Sequence, residues 1–366
     1  MKLLIQPGDD GTALIKGINL AKRTVDIAIF RFDHREIEKA LAHAVGRGVT
    51  VRALIAHTNR TGEENLRKLE LRLLAAGVTV ARTADDLLRY HGKFMIADQR
   101  EVYVLAFNLT YLDIERCRSF GVVMRSPSVA REALRVFDAD SKRTPYEPGS
   151  NALVVSPTNA RRQLSAFIQG ARKELLIYDP KVSDPAMIRL LEERARAGVS
   201  VQIIGKLTRA SSLVEVRKLA PLRLHTRTII RDGRMAFVGS QSLRSAELDM
   251  RREIGIIIRD AKAVRQLAQT FRGDWLAIEQ NAETAKTAPA EKLAKKVAKA
   301  VVKELPPVAP VLDTVVKEFA AHAGALELDP EDMQETVNEA VKQAVREAVK
   351  DAVEEAVEHS SAGAVK

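Results

Sequence analysis

The stretch His91–Asp98, HGKFMIAD, has a near-copy at His225–Asp232, HTRTIIRD. Both read His, any residue, a cation, four residues and then Asp. Each runs on into a second short apolar segment that ends in small and polar residues, LAFNLT at Leu105–Thr110 and VGSQSL at Val238–Leu243. On a β-strand, residues i and i+2 share a face, so His91 and Lys93 project together, and so do His225 and Arg227. Asp98 and Asp232 stand an odd number of residues from their histidines, at a strand end before a turn, and Asp232–Gly233 is a favoured hairpin pair. These two aspartates read as structural, turn-fixing residues of the motif.

Working outward, the surroundings of the two motifs also repeat. Thr24–Phe30 (TVDIAIF) is matched by Lys173–Tyr178 (KELLIY), each after a helical stretch, 13–22 and 163–172. Near-continuous apolar runs of this kind suit strands covered on both faces of a sheet. A helix follows in each case, Arg35–Gly46 and Pro185–Ala197, and then GVTVRALI at Gly48–Ile55 and GVSVQIIG at Gly198–Gly205, a glycine stop and a second parallel strand. The period of about 134 to 150 residues makes each copy domain-sized. The first copy adds a helix, Glu63–Ala76, and a strand, Val78–Ala81, where the second has only Ser211–Pro221. Arg125–Asn151, with three prolines, separates the copies, and a helix at Ala130–Ala139 closes the first. The expected organisation is therefore 1–150, 151–282 and a tail, 283–366. The tail is rich in Ala, Lys and Glu. Its Ala-Val pairs recur every four residues, which drifts around a 3.6-residue helix, so a loosely docked or partly disordered helical tail is expected instead of a coiled coil.

Composition narrows the class. One cysteine, Cys117, excludes an internal disulfide, and no Cys/His cluster has zinc-site spacing. No apolar run approaches the ~18 residues of a membrane span. Together these place the chain in the cytoplasm, at most peripheral to a membrane. The net charge of +10 is carried entirely by residues 1–282, the tail being net acidic. A basic body suits a phosphate-bearing partner, either an anionic phospholipid surface or nucleic acid.

Two histidines paired with two cations suit phosphate chemistry. Imidazole serves as nucleophile or general acid near neutral pH, and a pair supplies one of each. Adjacent cations offset the charge that repels a nucleophile from a phosphodiester and stabilise the non-bridging oxygens. Asn108, Ser240 and Gln241, at the end of the next strand, could hydrogen-bond the same oxygens. No metal or other cofactor is called for. The bland alternative is a pair of satisfied core histidines.

The two motifs, each followed by a strand and a small polar cluster, resemble those of the phospholipase D superfamily over residues 1–280, and LHTRTIIRDGRMAFVGSQSLRSAELDMRREIGIII is especially similar to bacterial phospholipase D-like and cardiolipin synthase-like proteins. The resemblance implies an α/β fold of two homologous sandwich domains in a pseudo-twofold arrangement, their motifs meeting at one cleft. It implies that one histidine attacks phosphorus to give a phosphohistidine, while the other protonates the leaving alcohol. His91 and His225 then form the nucleophile and acid/base pair, Lys93 and Arg227 the phosphate clamp, Asn108 a polar ligand, and Glu253 the carboxylate that holds a catalytic imidazole. This sequence departs from the family pattern in three places. Arg227 replaces a lysine, Ala106–Phe107 stand where the second copy has Gly239–Ser240, and Ser119 occupies the position of Glu253, each 28 residues after its histidine. An asymmetric site follows, with the histidine served by Glu253 left open.

The function expected is metal-independent hydrolysis or phosphatidyl transfer on glycerophospholipids. Two alternatives stand beside it. One is a nuclease of the same mechanism, suggested by the basic body. The other is a non-catalytic phosphate-binding scaffold, suggested by Ser119 and the altered first cluster.

Overall fold

In the computed structural model the described residues are 1–57, 63–219 and 222–287. The Ala-Val helix and almost all of the Ala/Lys segment of the tail lie outside them. The first half runs β1 (Lys2–Gln6), α1 (Thr12–Leu20), β2 (Thr24–Ile29), α2 (Arg35–Gly46), β3 (Thr50–Ile55), α3 (Glu63–Ala75), β4 (Thr79–Arg82), β5 (Arg89–Tyr90), β6 (Phe94–Ala97), β7 (Glu101–Leu105), α4 (Tyr111–Glu115), β8 (Cys117–Arg125) and α5 (Pro127–Lys142). The second runs β9 (Val154–Val155), α6 (Ala160–Gln169), β10 (Glu174–Val182), α7 (Pro185–Arg196), β11 (Ser200–Leu207), β12 (Glu215–Arg217), β13 (Arg223–Leu224), β14 (Arg227–Arg231), β15 (Met235–Gly239), α8 (Ser245–Asp249), β16 (Arg251–Arg252), β17 (Ile254–Ile258) and α9 (Ala261–Thr287).

Each half builds its own mixed sheet, in the orders β1-β8-β7-β6-β2-β3-β4 and β12-β11-β10-β14-β15-β17-β9. The motif strands β6 and β14 pair antiparallel with β2 and β10, and these pair parallel with β3 and β11. Strand alternation decides which core each side chain enters. Val25, Ile27 and Ile29 face the core beneath α1, α2 and α3, whereas Ala28 and Phe30 enter a cluster shared with the second sheet through Tyr178, Ile230 and Val238. A third cluster lies under α6 and α7. Burying one Leu, Ile or Phe in such a core stabilises the fold by about 1.5–3 kcal/mol.

Three details depart from the reading of the sequence. The first is that α5 starts at Pro127, not Ala130. Proline is tolerated at the first helical position because its missing N–H would have no helical partner, and the Ser126 hydroxyl accepts the N–H of Val129. The second is that β11 continues past Gly205 to Leu207. A Cβ at Gly205 would stand 1.7 Å from the Asp179 carbonyl oxygen, so only glycine lets β10 and β11 stay paired there. The third is that short ribbons join the halves. β5 pairs parallel with β16, and β13 pairs parallel with β8.

Two ion pairs, one buried and one half-buried, fasten the same seam. Arg252 of the second half grips Asp140 of α5 (Nη2 to Oδ1 2.9 Å) and donates to the Ser156 carbonyl. Arg118 of the first half grips Asp274 of α9 (Nε to Oδ2 2.8 Å) and donates to the Gln6 carbonyl. Both arginines and both aspartates differ by 134 positions, so one device is used twice. Removing one partner of a buried pair leaves the other charge uncompensated, typically at about 3–5 kcal/mol.

Candidate active site

Each motif histidine sits where its chain leaves a cross-half ribbon and joins its own sheet. The His91 N–H donates to the Arg252 carbonyl at 2.7 Å, and the His225 N–H donates to the Arg118 carbonyl at 3.1 Å. The i, i+2 facing expected within a regular strand is thus realised in extended chain just ahead of one, because β6 begins only at Phe94 and β14 at Arg227. Each motif is pinned by the backbone of the other half.

That register brings a carboxylate to each imidazole. Extending the pairing of Tyr90 with Arg252 by one residue sets Glu253 beside His91, and His91 Nδ1 lies 2.8 Å from Glu253 Oε2. Glu253 therefore serves the histidine of the other half. His225 has an acid as well, one not picked out from the sequence. Asp113 Oδ2 stands 3.4 Å from His225 Nδ1, an ionic contact longer than a good hydrogen bond. Asp113 is held by the N–H of Asn108 at 3.0 Å and the Asn108 amide at 2.7 Å. Ser119 thus leaves the first half without a counterpart of Glu253 but not without an acid. A signal was present, because Asp113 and Glu247 both lie 22 residues after their histidines.

Asn108 has its own counterpart, Ser242, each 17 residues after its histidine, which sets Ala106–Phe107 against Ser240–Gln241 and not, as read from the sequence, against Gly239–Ser240. The Ser242 N–H donates to Glu247 Oε2 at 2.7 Å, as that of Asn108 does to Asp113. Ser242 Oγ also accepts from Arg227 Nε at 3.2 Å. Ser240 and Gln241, expected to face phosphate, are engaged elsewhere. Ser240 Oγ bonds to the backbone of Ile254, and the Gln241 amide donates to the Val154 carbonyl at 2.9 Å. They stitch β15 to its neighbours, and Ser242 is the residue beside the clamp.

The two cations are held alike. Lys93 Nζ donates to the His91 carbonyl at 2.8 Å and Arg227 Nη1 to that of His225 at 2.6 Å. Asp98 and Asp232 stand away from this chemistry. Asp98 accepts the N–H groups of Lys22, Arg23 and Thr24, and Asp232 those of Arg172, Lys173 and Glu174, with closest contacts of 2.7 Å in both halves. Both take positive φ, 50° and 54°, a turn conformation that Asp tolerates.

Burial sets the protonation states. It pushes both histidines well below the ordinary imidazole value, and Lys93 and Arg227 push each of them further. Each histidine also takes its carboxylate from the other half, Glu253 for His91 and Asp113 for His225, so the two motifs share one site. Burial also pulls Lys93 down to about 7, with Glu253 opposing. Glu253 is raised by burial against the pull of Lys93 and Arg227. Asp113 is pushed up by burial but held at about 2 by His225, Asn108 and Arg223. Neutral imidazoles, a tautomer fixed at His91 and two cations make a site that can attack phosphorus and neutralise its oxygens. Among the described residues there is no cluster of three or more His, Cys, Asp or Glu suited to a metal ion, and no helix long and apolar enough to cross a membrane.

Comparison with known proteins follows the same division. The family described as "Cardiolipin synthase, PLD-like domain" matches residues 14–141 and again 164–275. A comparison with curated protein sequences finds no match. Among solved structures, the polyphosphate kinase of Porphyromonas gingivalis superposes with a TM-score of 0.61 at 17% identity, over 74% of this chain and 49% of that one. This chain therefore spans about half that enzyme's length. The phosphatidylserine synthase of Haemophilus influenzae superposes with a TM-score of 0.57 at 11% identity, over 75% and 85%. At such identities these two likenesses show the fold alone. With the family match covering both halves, the chain belongs to the phospholipase D superfamily, as a tandem of two PLD-like α/β domains whose motifs share one site.

Proposed function

We propose that the protein cleaves or exchanges phosphodiesters through a phosphohistidine, and the observation that carries this is the His91–Glu253 bond across the halves, with Lys93 and Arg227 beside it. A buried carboxylate on Nδ1 keeps that proton in place and leaves the Nε2 lone pair for attack. His91 Nε2 bonds to phosphorus, the bond from phosphorus to the leaving alcohol breaks, and His225, held as imidazolium between Asp113 and the anionic substrate, gives that oxygen its proton and becomes neutral. Water or a second alcohol then attacks phosphorus, His225 takes its proton, and the bond to His91 Nε2 breaks. Lys93 and Arg227 neutralise the non-bridging oxygens, and Asn108 and Ser242 hold the acids Asp113 and Glu247 in place. Because Asp113 supplies the acid that Ser119 does not, the main motive for a non-catalytic scaffold falls away.

For the substrate, the cardiolipin synthase-type family match favours a glycerophospholipid, and the body's positive charge gives nucleic acid as a second reading. Incubation with mixed phospholipids and, separately, with nucleic acid, each with and without EDTA, tests both. The expected outcome is EDTA-resistant product in one arm, lost in His91→Ala and in His225→Ala. Turnover that survives both substitutions would overturn the mechanism.

A further inference from the structure

The carboxyl ends of β10, β11 and β12 flank an open recess of about 370 Å³, lined by Lys181, Lys206, Lys218 and Thr208 among others. In an open α/β sheet, the carboxyl edge of the parallel strands is where ligands are bound. We propose that this recess is a second anion subsite, seating a non-scissile phosphate of a polynucleotide strand whose neighbouring phosphodiester lies between the two histidines. The proposal rests on the phosphodiester reading above and develops its second substrate, nucleic acid.

Three observations carry it. The recess lies beside the chain that enters the second motif. A Cβ at Gly205, in its lining, would stand 3.4 Å from Leu224 Cδ2, the residue just before His225. The Lys181 N–H bonds to Asp179 Oδ1 at 2.9 Å, while Asp179 Oδ2 accepts from Leu243, next to the Ser242 that holds Arg227. The recess thus adjoins the Arg227 side of the site.

The charge there is also unbalanced. Lys181, Lys206 and Lys218 are exposed, and among the described residues none of their ammonium groups has a carboxylate partner. Arg217, the fourth cation, is engaged by the Trp275 carbonyl and ring. Three like charges around one recess repel each other until an anion enters, so an anion gains from all three at once.

The full set of three cations belongs to one half only. By strand register, the matching positions in the first half are Arg31, Ala56 and Arg82, and Arg82 is taken up by the His57 carbonyl and Glu70. A feature of the shared fold would recur in both halves, whereas a subsite for one end of an asymmetric ligand need not. The chemical class follows from the count of phosphates. In a polynucleotide every scissile phosphate has a phosphate neighbour, whereas a phospholipid with a neutral or amine headgroup carries only the reacting one.

The test compares the full chain with a K181A/K206A/K218A variant, whose exposed lysines can be replaced without opening the core. Turnover of bis(p-nitrophenyl) phosphate, which carries one phosphate, should be unchanged. Binding of a short single-stranded DNA, followed by fluorescence anisotropy with His91→Ala in both proteins to prevent cleavage, should weaken by about tenfold or more, with the salt slope reduced by about two. Binding to phosphatidylglycerol vesicles should change less. Equal DNA affinity in the two proteins, or an equal loss on vesicles, would overturn the proposal. If the wild type turned over no phosphodiester but DNA affinity still fell in the variant, the catalytic reading would fail and the subsite would stand.

Discussion

A carboxylate reaches the Nδ1 of His91 at 2.8 Å from Glu253, between β16 and β17, while the one nearest His225 stands 3.4 Å away on α4. The halves share one frame, with the same ribbon, arginine clamp and aspartate turn, and they differ in how the imidazole is backed. The difference arises at position 28 after each histidine, where the second half has Glu253 and the first has Ser119. A hydroxyl there is too short to take over, so Asp113 serves His225 from another element and at longer range. The frame is therefore free to repeat while the two imidazoles are backed unequally, which is the basis of the division of labour proposed for them.

That comparison breaks most visibly at the acids. Glu253→Gln should lower turnover by about 10²–10³-fold by releasing the His91 tautomer, whereas Asp113→Asn should cost about tenfold, both read as kcat on a soluble phosphodiester. Equal losses would show the histidines to be equivalent.

The clamp gives the next effect. Lys93, drawn down to about 7, loses its charge as pH rises through that value. kcat/KM should therefore decline on the alkaline side of about pH 7, approaching tenfold per unit where Lys93 alone limits, and Lys93→Arg should flatten that limb. A wild-type profile flat from pH 6 to 9 would place the charge of the clamp elsewhere.

The smallest effect should be the same in both halves. Asp98→Ala and Asp232→Ala each remove an acceptor from three N–H groups and should cost about 1–2 kcal/mol in denaturant unfolding, with turnover intact well below the melting temperature. A large loss of turnover in either would return these aspartates to the chemistry.

Where the sequence was readable, the reason is local pattern. The repeated β-α-β units, the paired histidines and cations and the turn aspartates are set by side-chain alternation and turn chemistry within ten residues or so, and all appear in the fold. What was not readable is what crosses the seam. The ribbon strands Arg89–Tyr90 and Arg251–Arg252 are two residues long and carry no alternation, so nothing local announced that Glu253 would meet the other half's histidine. Asp113 was legible in principle, since an acid recurs at the same offset in both copies, but on a five-residue helix it looks like ordinary capping chemistry. Ser240 and Gln241 misled for the opposite reason. Polar and close to the motif, they are recruited by strand backbone that only the folded sheet supplies.

The seam has a consequence for the order in which the molecule comes into being. The residues that meet at His91 are 162 positions apart, and the arginine clamp of the first half waits for Asp274. A chain emerging from the ribosome can complete the first sheet long before it can complete a working imidazole. The capacity to break phosphodiesters would then be withheld until nearly all of both halves has been made, and a truncated product would be inert rather than half active.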